Sequence, residues 1–566
     1  MDHLCELLKS FKVEQFNNIR HHKTKCAAII KHVIAPVILS DMLKVIGSNK
    51  YSVIVDESTD IGNNKWMSVC IRFVNEEGEV STEFLGMFLV EEATAVKLFE
   101  GLCQFLAKLD LNIQNILAIG TDGANNLCGK HHSLFTLLKE VNPSIMLIKC
   151  ICHALHLCSS EACKSLPSNI EFLVREIYNY FSNSSLRTIK YKRVFDLVNL
   201  GPDCNKFRKL VQISGTRWLS YGAAVKRLLD QWLELKTHFS IIATSDNERT
   251  AQLIYELLSD EDNRMLLLGV YPIINEINIL NLKFQKNNLD AGSVNELIFL
   301  CILSLATKIL KPEILIKIKD DDSVEKLQVI LDSENSYLSY DLMNFGYNFE
   351  NEIISNLNVL KIKSQCFLFL KKLLLQLAKR LPQNMKFFRE FIVINPKTCS
   401  NLSLHKPFSD LVNFIKPLVD GETNSENLES QWSKIPLIKW NYDEMDVQTF
   451  WKTVFLYEDV SGSKPFLELS KIILTLLSVP TSNACVERVF SIMNFIKMKI
   501  RNKMQYELLE ALIRINMYFK NNTICCHSFV PSCDMLNRFN SQTMYPTKNP
   551  ELEKLDEELL NDFVLD

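Results

Sequence analysis

The sequence predicts a mixed α/β layer near the N-terminus, followed by a long, mainly helical region. Residues 51–90 show the two-residue alternation and β-branched content of strands, whereas 220–440 show mainly helical periodicity and no convincing strand pair. Glycine and proline are scarce, with 16 of each among 566 residues. This scarcity argues against an all-β sandwich, which needs turn residues at short intervals. A hydrophobic content of 47% also excludes a largely disordered chain.

The elements can be assigned in chain order. Residues 1–50 are predicted to be helical up to about Gly47. Three antiparallel strands follow, and a four-residue turn ending in Gly78 joins the last two as a hairpin. The predicted strands and helices are strands 51–59, 66–74 and 80–90, helix 93–109, strand 115–121, helix 124–140, strand 145–150 and a helix from about residue 153.

Charge and cysteine content narrow the class of protein. The 63 Lys and Arg against 66 Asp and Glu give a net charge of −3, so any nucleic-acid surface must be local. The charged N-terminus argues against a signal peptide, and the apolar run 297–307 is too short for a membrane span. Seventeen scattered cysteines are typical of reduced thiols inside the cell. We therefore expect no membrane partner; the cluster Lys190, Lys192 and Arg193 is a weak nuclear import signal.

Three acidic residues stand out by position. Asp56 ends the first strand, Asp122 ends the fourth strand beside the small residues Gly123 and Ala124, and Glu487 lies on a helix in the segment PTSNACVERVFS. In a mixed sheet the first and fourth strands can be neighbours, which would place both aspartates at one edge. Converging carboxylates are how proteins hold Mg²⁺, and paired cations can activate a water or a hydroxyl for attack.

Two simpler interpretations compete with this one. An aspartate at a strand end is more commonly a turn former or a helix cap than a metal ligand. Glu57 and Asp60 also lie close enough to Asp56 to replace it as the candidate. Spacing alone therefore leaves the choice of carboxylates open.

The motifs YSVIVDESTDI, GTDGANN, CxCHALHL, TRWLS and PTSNACVERVFSIMNFIKMKIRNKM occur in this order along 20–520. The chain thereby resembles hAT-family transposases and their domesticated relatives. The resemblance implies an RNase H-like mixed sheet core interrupted by a large all-helical insertion, with helical N- and C-terminal segments. The implied domains are 1–50 N-terminal helical segment, 51–219 first part of the core, 220–440 insertion, 441–525 second part of the core with the dimerisation region, and 526–566 acidic tail.

The resemblance also implies chemistry. Asp56, Asp122 and Glu487 match the catalytic and metal-binding acids of a DDE site, which would hold Mg²⁺ or Mn²⁺ and carry out DNA strand cleavage and transfer. Trp218 matches a family tryptophan that stacks on an unpaired base, and Arg217 would contact phosphate. The alternative for Trp218 is a core residue that opens the insertion.

The run from Cys150 to Cys158 invites a zinc interpretation, but its cysteines do not form the usual CxxC pair, so no zinc is expected. Cys150 and His153 match the family's Cys-x-x-His motif. The resemblance implies that His153 positions DNA or the catalytic carboxylates. A buried, hydrogen-bonded histidine is the alternative.

A basic and then an apolar pattern follow Glu487. The basic residues recur at helical spacing without an intervening acid, which favours a phosphate-facing surface: Arg488, Lys497, Lys499, Arg501 and Lys503. The apolar residues form a stripe that either packs within its own domain or, as the resemblance implies, serves dimerisation: Leu508, Leu512, Ile515 and Phe519. DNA and a homodimer or higher homo-oligomer are therefore the expected partners.

Many members of the family begin with a BED-type zinc finger, and this sequence contains none. The expectation is either a truncated copy or a chain without sequence-specific recognition of element ends. Two functions follow: a nuclear DDE transposase, or a domesticated, non-enzymatic nuclear protein retained for dimerisation and for binding DNA, chromatin or proteins.

Overall fold

The computed structural model describes residues 23–200, 206–212, 219–245, 248–285, 291–321, 326–354, 357–416, 418, 425–441, 445–497 and 504–545. Contacts within the chain divide it into two compact units. The sheet unit comprises Met1–Ile148, Ile415–Leu428 and Trp451–Asp566, and the helical unit comprises Lys149–Phe414 and Glu429–Phe450. Residues 149–219, which the predicted domains assign to the core, lie in the helical unit in this division.

The sheet has the mixed architecture expected of an α/β core. Its order is β3-β2-β1-β4-β5, with β1 antiparallel to β2, β2 antiparallel to β3, and β1 parallel to β4. The strands are β1 Tyr51–Thr59, β2 Lys65–Val74, β3 Val80–Leu89, β4 Ile116–Thr121 and β5 Met146–Lys149. The predicted mixed α/β class is confirmed, and so is the adjacency of the first and fourth strands.

The hairpin between β2 and β3 follows from its turn residues. Gly78 adopts a φ of 75°, which glycine tolerates without steric cost. The Asn75 side chain accepts hydrogen bonds from the backbone N–H groups of Glu77 and Glu79 at 3.0 and 2.8 Å. This arrangement closes the turn on itself and fixes the pairing of the two strands.

Helices make up most of the remaining described chain. In chain order they are α1 Lys23–Ile29, α2 Ala35–Ile46, α3 Ala95–Lys108, α4 Asn125–Cys128, α5 Leu134–Val141, α6 Ile151–Cys163, α7 Ser168–Ser182, α8 Ser185–Val198, α9 Leu219–Asp230, α10 Trp232–Ser245, α11 Arg249–Ser259, α12 Glu261–Phe284, α13 Val294–Ala306, α14 Pro312–Asp321, α15 Leu327–Asp332, α16 Tyr347–Ile353, α17 Val359–Arg380, α18 Pro382–Arg389, α19 Pro396–Cys399, α20 Phe408–Ile415, α21 Ser425–Lys434, α22 Val447–Leu456, α23 Leu467–Leu477, α24 Ala484–Ile496, α25 Tyr506–Asn521, α26 Cys533–Arg538 and α27 Ser541–Met544. A π-helical turn, Ile30–Ile34, joins α1 to α2.

The prediction of one helix over 124–140 is wrong in its continuity, because two helices, α4 and α5, occupy this stretch. Ser133 begins α5 with a capping box. Its hydroxyl accepts from the Thr136 backbone N–H at 3.3 Å, and its own N–H donates to the Thr136 hydroxyl at 2.7 Å. A side chain that caps a new helix competes with continuation of the preceding one.

The two faces of the sheet are covered by different helices. On one face Val53 and Val55 pack with residues of α3, including Leu98. On the other face Ile54 packs with Val489 of α24 and Ile513 of α25. Because successive strand residues point to opposite faces, the alternation along β1 separates these two clusters.

Two helical stretches are long and apolar enough to cross a membrane by length and composition, Lys23–Ile46 and Glu261–Phe284. The second is α12, which packs against α6, α9 and α17 within the helical unit. The first contacts α25 in the sheet unit. Core helices of this kind meet the same criterion, so these two stretches are weak evidence for a membrane partner.

Candidate carboxylate site

The register of β1 and β4 brings Asp56 and Asp122 to one edge of the sheet. The strands run parallel, and Ile54 is paired with Gly120. Each aspartate lies two residues beyond this pair. Asp122 directly follows β4, whereas β1 continues to Thr59, so the prediction that Asp56 ends its strand is wrong: Asp56 lies just beyond the part of β1 that pairs with β4 and is still paired with Ser68 of β2. Side chains two residues apart share a face, so Asp56 lies on the face of Ile54, which is the face covered by α24 and α25.

The segment before α24 seats the third acid on the same edge. A Cβ at Gly120 would lie 3.0 Å from Cγ of Pro480, so the glycine permits the close approach of this segment. The Asn483 side chain donates to the backbone carbonyl of Val55 at 3.5 Å. Asn483 is the N-cap residue of α24, whose first turn carries Glu487. The motif therefore docks the start of this helix beside β1, next to the residue that precedes Asp56.

Electrostatics link the three acids. Burial, then the charge of Asp122 and then that of Glu487 together raise the pKa of Asp56 to about 7. The Glu57 backbone N–H, which donates to Asp56 at 2.9 Å, partly opposes this shift. No lysine or arginine within the described residues forms an ion pair with Asp56. The neighbouring acids therefore favour the protonated form of Asp56.

Asp122 is held by its own turn. Its carboxylate accepts a hydrogen bond from the Ala124 backbone N–H at 2.8 Å, and Gly123 between them has a φ of 98°. This φ lies in the region that glycine adopts freely and other residues avoid. The sequence Asp-Gly-Ala therefore fixes the carboxylate by a short local contact, as a turn-forming aspartate does, while leaving it at the strand end.

The two rival acids are occupied elsewhere. Glu57 lies on the opposite face from Asp56, where it forms an ion pair with Lys65 and accepts from Asn126 at 2.7 Å. Asp60 accepts from the Trp66 indole at 2.8 Å and forms a buried ion pair with Lys497. Neither is available as a replacement for Asp56, so the structure favours Asp56 among the three.

The placement of Lys497 corrects one of the predicted phosphate contacts. Its side chain is 6% exposed and its ammonium group is paired with Asp60, so it does not present charge at the surface. The partner comes from the turn between β1 and β2, far away in sequence. Arg488 is half-buried on α24. Lys499, Arg501 and Lys503 lie outside the described residues.

Three carboxylates supply the hard oxygen ligands that Mg²⁺ and Mn²⁺ prefer, so the donor chemistry fits such a cation. Within the described residues, however, no group of three His, Cys, Asp or Glu side chains is gathered closely enough to hold a metal ion as it stands. The charges of Asp122 and Glu487 contribute to the raised pKa of Asp56. A bound cation would relieve this repulsion between the carboxylates.

The other predicted site residues lie in the helical unit or outside the described chain. Cys150 is the N-cap residue of α6, and His153 is half-buried in its first turn. The ring centroids of His153 and His156 are 6.3 Å apart. Burial raises the pKa of Cys158 to about 12, which favours its thiol form. Arg217 and Trp218 lie outside the described residues.

The predicted dimerisation stripe lies on α25 and is half-buried along its length, at Leu508, Leu512, Ile515 and Phe519. Ile515 packs against a cluster that includes Val33 and Ile38, and the Phe519 ring centroid lies 5.0 Å from that of Phe529. The sheet unit itself therefore covers part of the stripe, as the alternative interpretation expected.

Sequence reasoning missed the residues that dock α25 on the sheet. The Arg514 guanidinium donates to the backbone carbonyls of Phe84 and Leu85 at 3.2 and 3.0 Å. The Tyr506 ring stacks on Trp66 with centroids 5.0 Å apart and planes 8° from parallel. An arginine inside an apolar run was the available signal, because a buried guanidinium needs fixed acceptors.

Two family models match the chain. Residues 2–133 match the ZMYM1/FAM200 RNase-like domain, and residues 427–519 match the hAT family C-terminal dimerisation region. The first range includes Asp56 and Asp122, and the second includes Glu487.

One relative is the General transcription factor II-I repeat domain-containing protein 2 of Bos taurus, 24% identical over 194 residues. The alignment covers 34% of this chain and 20% of the relative, so the chain spans about a fifth of that relative's length. The chain thus contains an RNase-like domain that carries two of the acids and a hAT dimerisation region that carries the third, which is consistent with a hAT transposase-like protein.

Proposed function

We propose that the chain is a nuclear DNA transposase, or a protein derived from one, that homo-oligomerises through its C-terminal region and cleaves DNA with Mg²⁺ or Mn²⁺. Asp56, Asp122 and Glu487 would hold the cation. The observation that carries the proposal is electrostatic: burial and the charges of Asp122 and Glu487 raise the pKa of Asp56 to about 7. Carboxylates that repel one another at a sheet edge cost stability, and such arrangements concentrate at functional sites.

The residues of the carboxylate site would have different roles. A bound cation supplies Lewis-acid stabilisation of the phosphate and a more acidic attacking hydroxyl. Asp56 must release its proton before it can serve as a ligand, so cation binding competes with that proton near neutral pH. Gly120 lets Pro480 reach the strand, which keeps the first turn of α24, and with it Glu487, at the same edge.

The decisive experiment compares the purified chain with Glu487→Gln, which keeps the side-chain shape and removes the charge. Nicked or element-end DNA is incubated with Mn²⁺, and Mn²⁺ binding is followed separately by electron paramagnetic resonance. We expect the variant to lose cleavage and to bind Mn²⁺ more weakly. Glu507→Gln, which changes an exposed carboxylate on α25, serves as the matched control and is expected to keep both. Equal cleavage and equal binding in the wild type and Glu487→Gln would overturn the catalytic assignment.

A non-enzymatic function is the second candidate. It is favoured by a relative whose name refers to general transcription factor II-I repeats and not to a transposase. Under this alternative the chain binds DNA, chromatin or proteins and neither binds Mn²⁺ nor cleaves DNA. The same pair of measurements therefore separates the two functions.

Homo-oligomerisation is tested by solution mass. The matched dimerisation region supports a dimer or higher assembly. A mass that stays at 65.3 kDa at micromolar concentration would contradict the proposed self-association.

A further inference from the structure

The helical unit contains a cleft of about 340 Å³ between α7, α8 and the segment 206–212. The residues that line it include four aromatic side chains and one lysine: Tyr178, Phe181, Tyr191, Phe207 and Lys209. The Phe181 and Tyr191 rings, whose centroids are 4.9 Å apart, are buried at the base. Tyr178 is half-buried, and Lys209 is exposed at the rim.

The segment 206–212, here named the basic strap, is held by its backbone and by the side chains of Phe207 and Gln212. The Gln212 side chain accepts from the Tyr178 hydroxyl at 3.4 Å. The Phe207 ring packs 5.8 Å from Tyr191 and 5.5 Å from Phe195, centroid to centroid. The backbone carbonyls of Arg208 and Lys209 accept from Gln231 and Arg227 at 2.9 and 2.6 Å. These anchors use no charge of the strap itself. The side chains of Lys206, Arg208 and Lys209 remain exposed.

The surroundings of the cleft are basic. Helix α8, which forms one wall, carries exposed Lys190, Lys192 and Arg193 in addition to the strap's three cations. Acids are fewer here: Asp196 is exposed on α8, Glu234 accepts from Asn199 at 2.8 Å, and Glu248 accepts from Arg187 at 2.6 Å. Positive charge beside an aromatic floor is complementary to a nucleotide, whose phosphate is anionic and whose base has two flat faces.

We propose that this cleft binds an unpaired nucleotide of single-stranded DNA, with the base against Phe181, Tyr191 and Phe207 and the phosphate beside Lys209. The hydroxyl groups of Ser185 and Thr188, which also line the cleft, can hydrogen-bond to a base edge. The inference rests on the proposed function only in taking DNA as the ligand. It assigns the binding of single-stranded DNA to residues that are not part of the carboxylate site.

The test uses two cleft variants of the full chain. Ser185→Trp fills the cleft from an exposed position, and Lys209→Glu reverses the charge at its rim. Lys317→Glu, at an exposed position on α14 of the same unit, is the matched control. The probe is a fluorescein-labelled oligothymidylate of about 12 nucleotides, measured by anisotropy beside a duplex of the same length and an oligouridylate. Thermal melting verifies that each variant is folded.

We expect each cleft variant to weaken oligothymidylate binding about 10-fold or more, and the control to change it less than about 3-fold. A photoreactive iodouracil in the probe should cross-link to peptides that contain Tyr178 or Phe207. Tighter binding of the oligouridylate would assign the cleft to RNA and overturn the DNA assignment. Unchanged binding by both folded variants, or cross-links confined to other peptides, would overturn the site.

The carboxylate site and the cleft fail separately in this design. Wild-type protein that cross-links at the cleft but neither binds Mn²⁺ nor cleaves DNA refutes only the proposed catalysis. Protein that cleaves DNA while its cleft variants bind the probe normally refutes only the cleft. Glu487→Gln is expected to retain the cross-link, because it removes no residue of the cleft.

Discussion

Asp56 and Asp60 lie four residues apart, yet their surroundings have opposite electrostatic effects. Burial and the charges of Asp122 and Glu487 raise the pKa of Asp56 to about 7. Burial also opposes ionisation of Asp60, but hydrogen bonds from Lys497 and the Trp66 indole outweigh it and lower its pKa. One carboxylate is repelled by its neighbours, and the other is neutralised by them.

The difference distinguishes an acid held within the fold from the acid that we propose as a cation ligand. Asp60 also accepts from the backbone N–H groups of Gly62 and Asn64 at 2.7 and 3.0 Å, so its oxygens are fully engaged within the turn. Asp56 has the Glu57 N–H at 2.9 Å and acidic neighbours. Perturbed carboxylates of the first kind are concentrated at functional sites. For a buried pair of the second kind, removing one partner leaves an uncompensated charge and destabilises the fold.

The largest expected effect comes from breaking the buried ion pair between Asp60 and Lys497. Lys497→Met leaves the Asp60 carboxylate buried without its cation, since that side chain is 0% exposed. We expect the free energy of unfolding to fall by about 3–5 kcal/mol, measured by urea titration. The matched control is Lys520→Met on exposed α25 surface, which should stay within about 0.5 kcal/mol.

The double variant Asp60→Asn/Lys497→Met removes both charges and should recover at least about half of the loss. If it is no more stable than Lys497→Met alone, the buried charge is not the cause of the destabilisation.

The contact that places Glu487 gives the next effect. In Gly120→Ala the new Cβ would lie 3.0 and 3.2 Å from Cγ and Cβ of Pro480, so the segment before α24 has to move. Overpacking of this kind costs about 1–3 kcal/mol. We also expect weaker Mn²⁺ binding, because the start of α24 shifts from the strand ends. A variant that is destabilised but binds Mn²⁺ normally would show that this contact serves packing alone.

Removing the repelled charge should stabilise the protein. With a folded pKa of about 7 against 3.8 in the unfolded chain, Asp56 binds a proton more tightly in the folded state, so stability falls as pH rises between those values and is level above them. Asp56→Asn abolishes this loss. We expect a gain of up to about 4 kcal/mol at about pH 8 and of up to about 1.5 kcal/mol at about pH 5.

The corresponding change at Asp60 has the opposite sign. Its pKa is lowered in the folded state, so ionised Asp60 contributes stability that is present above its unfolded pKa and lost as the pH falls. Asp60→Asn should therefore be destabilising at neutral pH, and most of the difference should disappear in acid. A stabilising Asp60→Asn would contradict the comparison on which this distinction rests.

Local patterns predict the strands and the position of Asp122 directly after β4, because alternation and turn chemistry act over a few residues. They misplace Asp56, which lies within β1 and not at its end. The break between α4 and α5 was missed, since a serine that caps a helix looks like one that interrupts it. The pairing of Lys497 with Asp60 joins residues 437 apart. Helical spacing shows which residues share a face of a helix, but tertiary packing decides which face meets solvent. The sequence pattern therefore predicts a DNA contact for Lys497, although this residue is buried and paired with Asp60.

The smallest predicted effect ranks the two acids that act on Asp56. The charge of Asp122 raises the pKa of Asp56 more than that of Glu487 does. The free energy of unfolding stops falling with pH near the pKa of folded Asp56. Asp122→Asn should lower this pH by more than Glu487→Gln does, and each shift should be at or below about one pH unit. The measurement is the pH dependence of the unfolding free energy, referred to Asp56→Asn in the same background. Equal shifts would show that Glu487 and Asp122 affect the pKa of Asp56 to the same extent. If neither variant shifts the pH limit, the three acids are not electrostatically coupled and the proposed carboxylate site is contradicted.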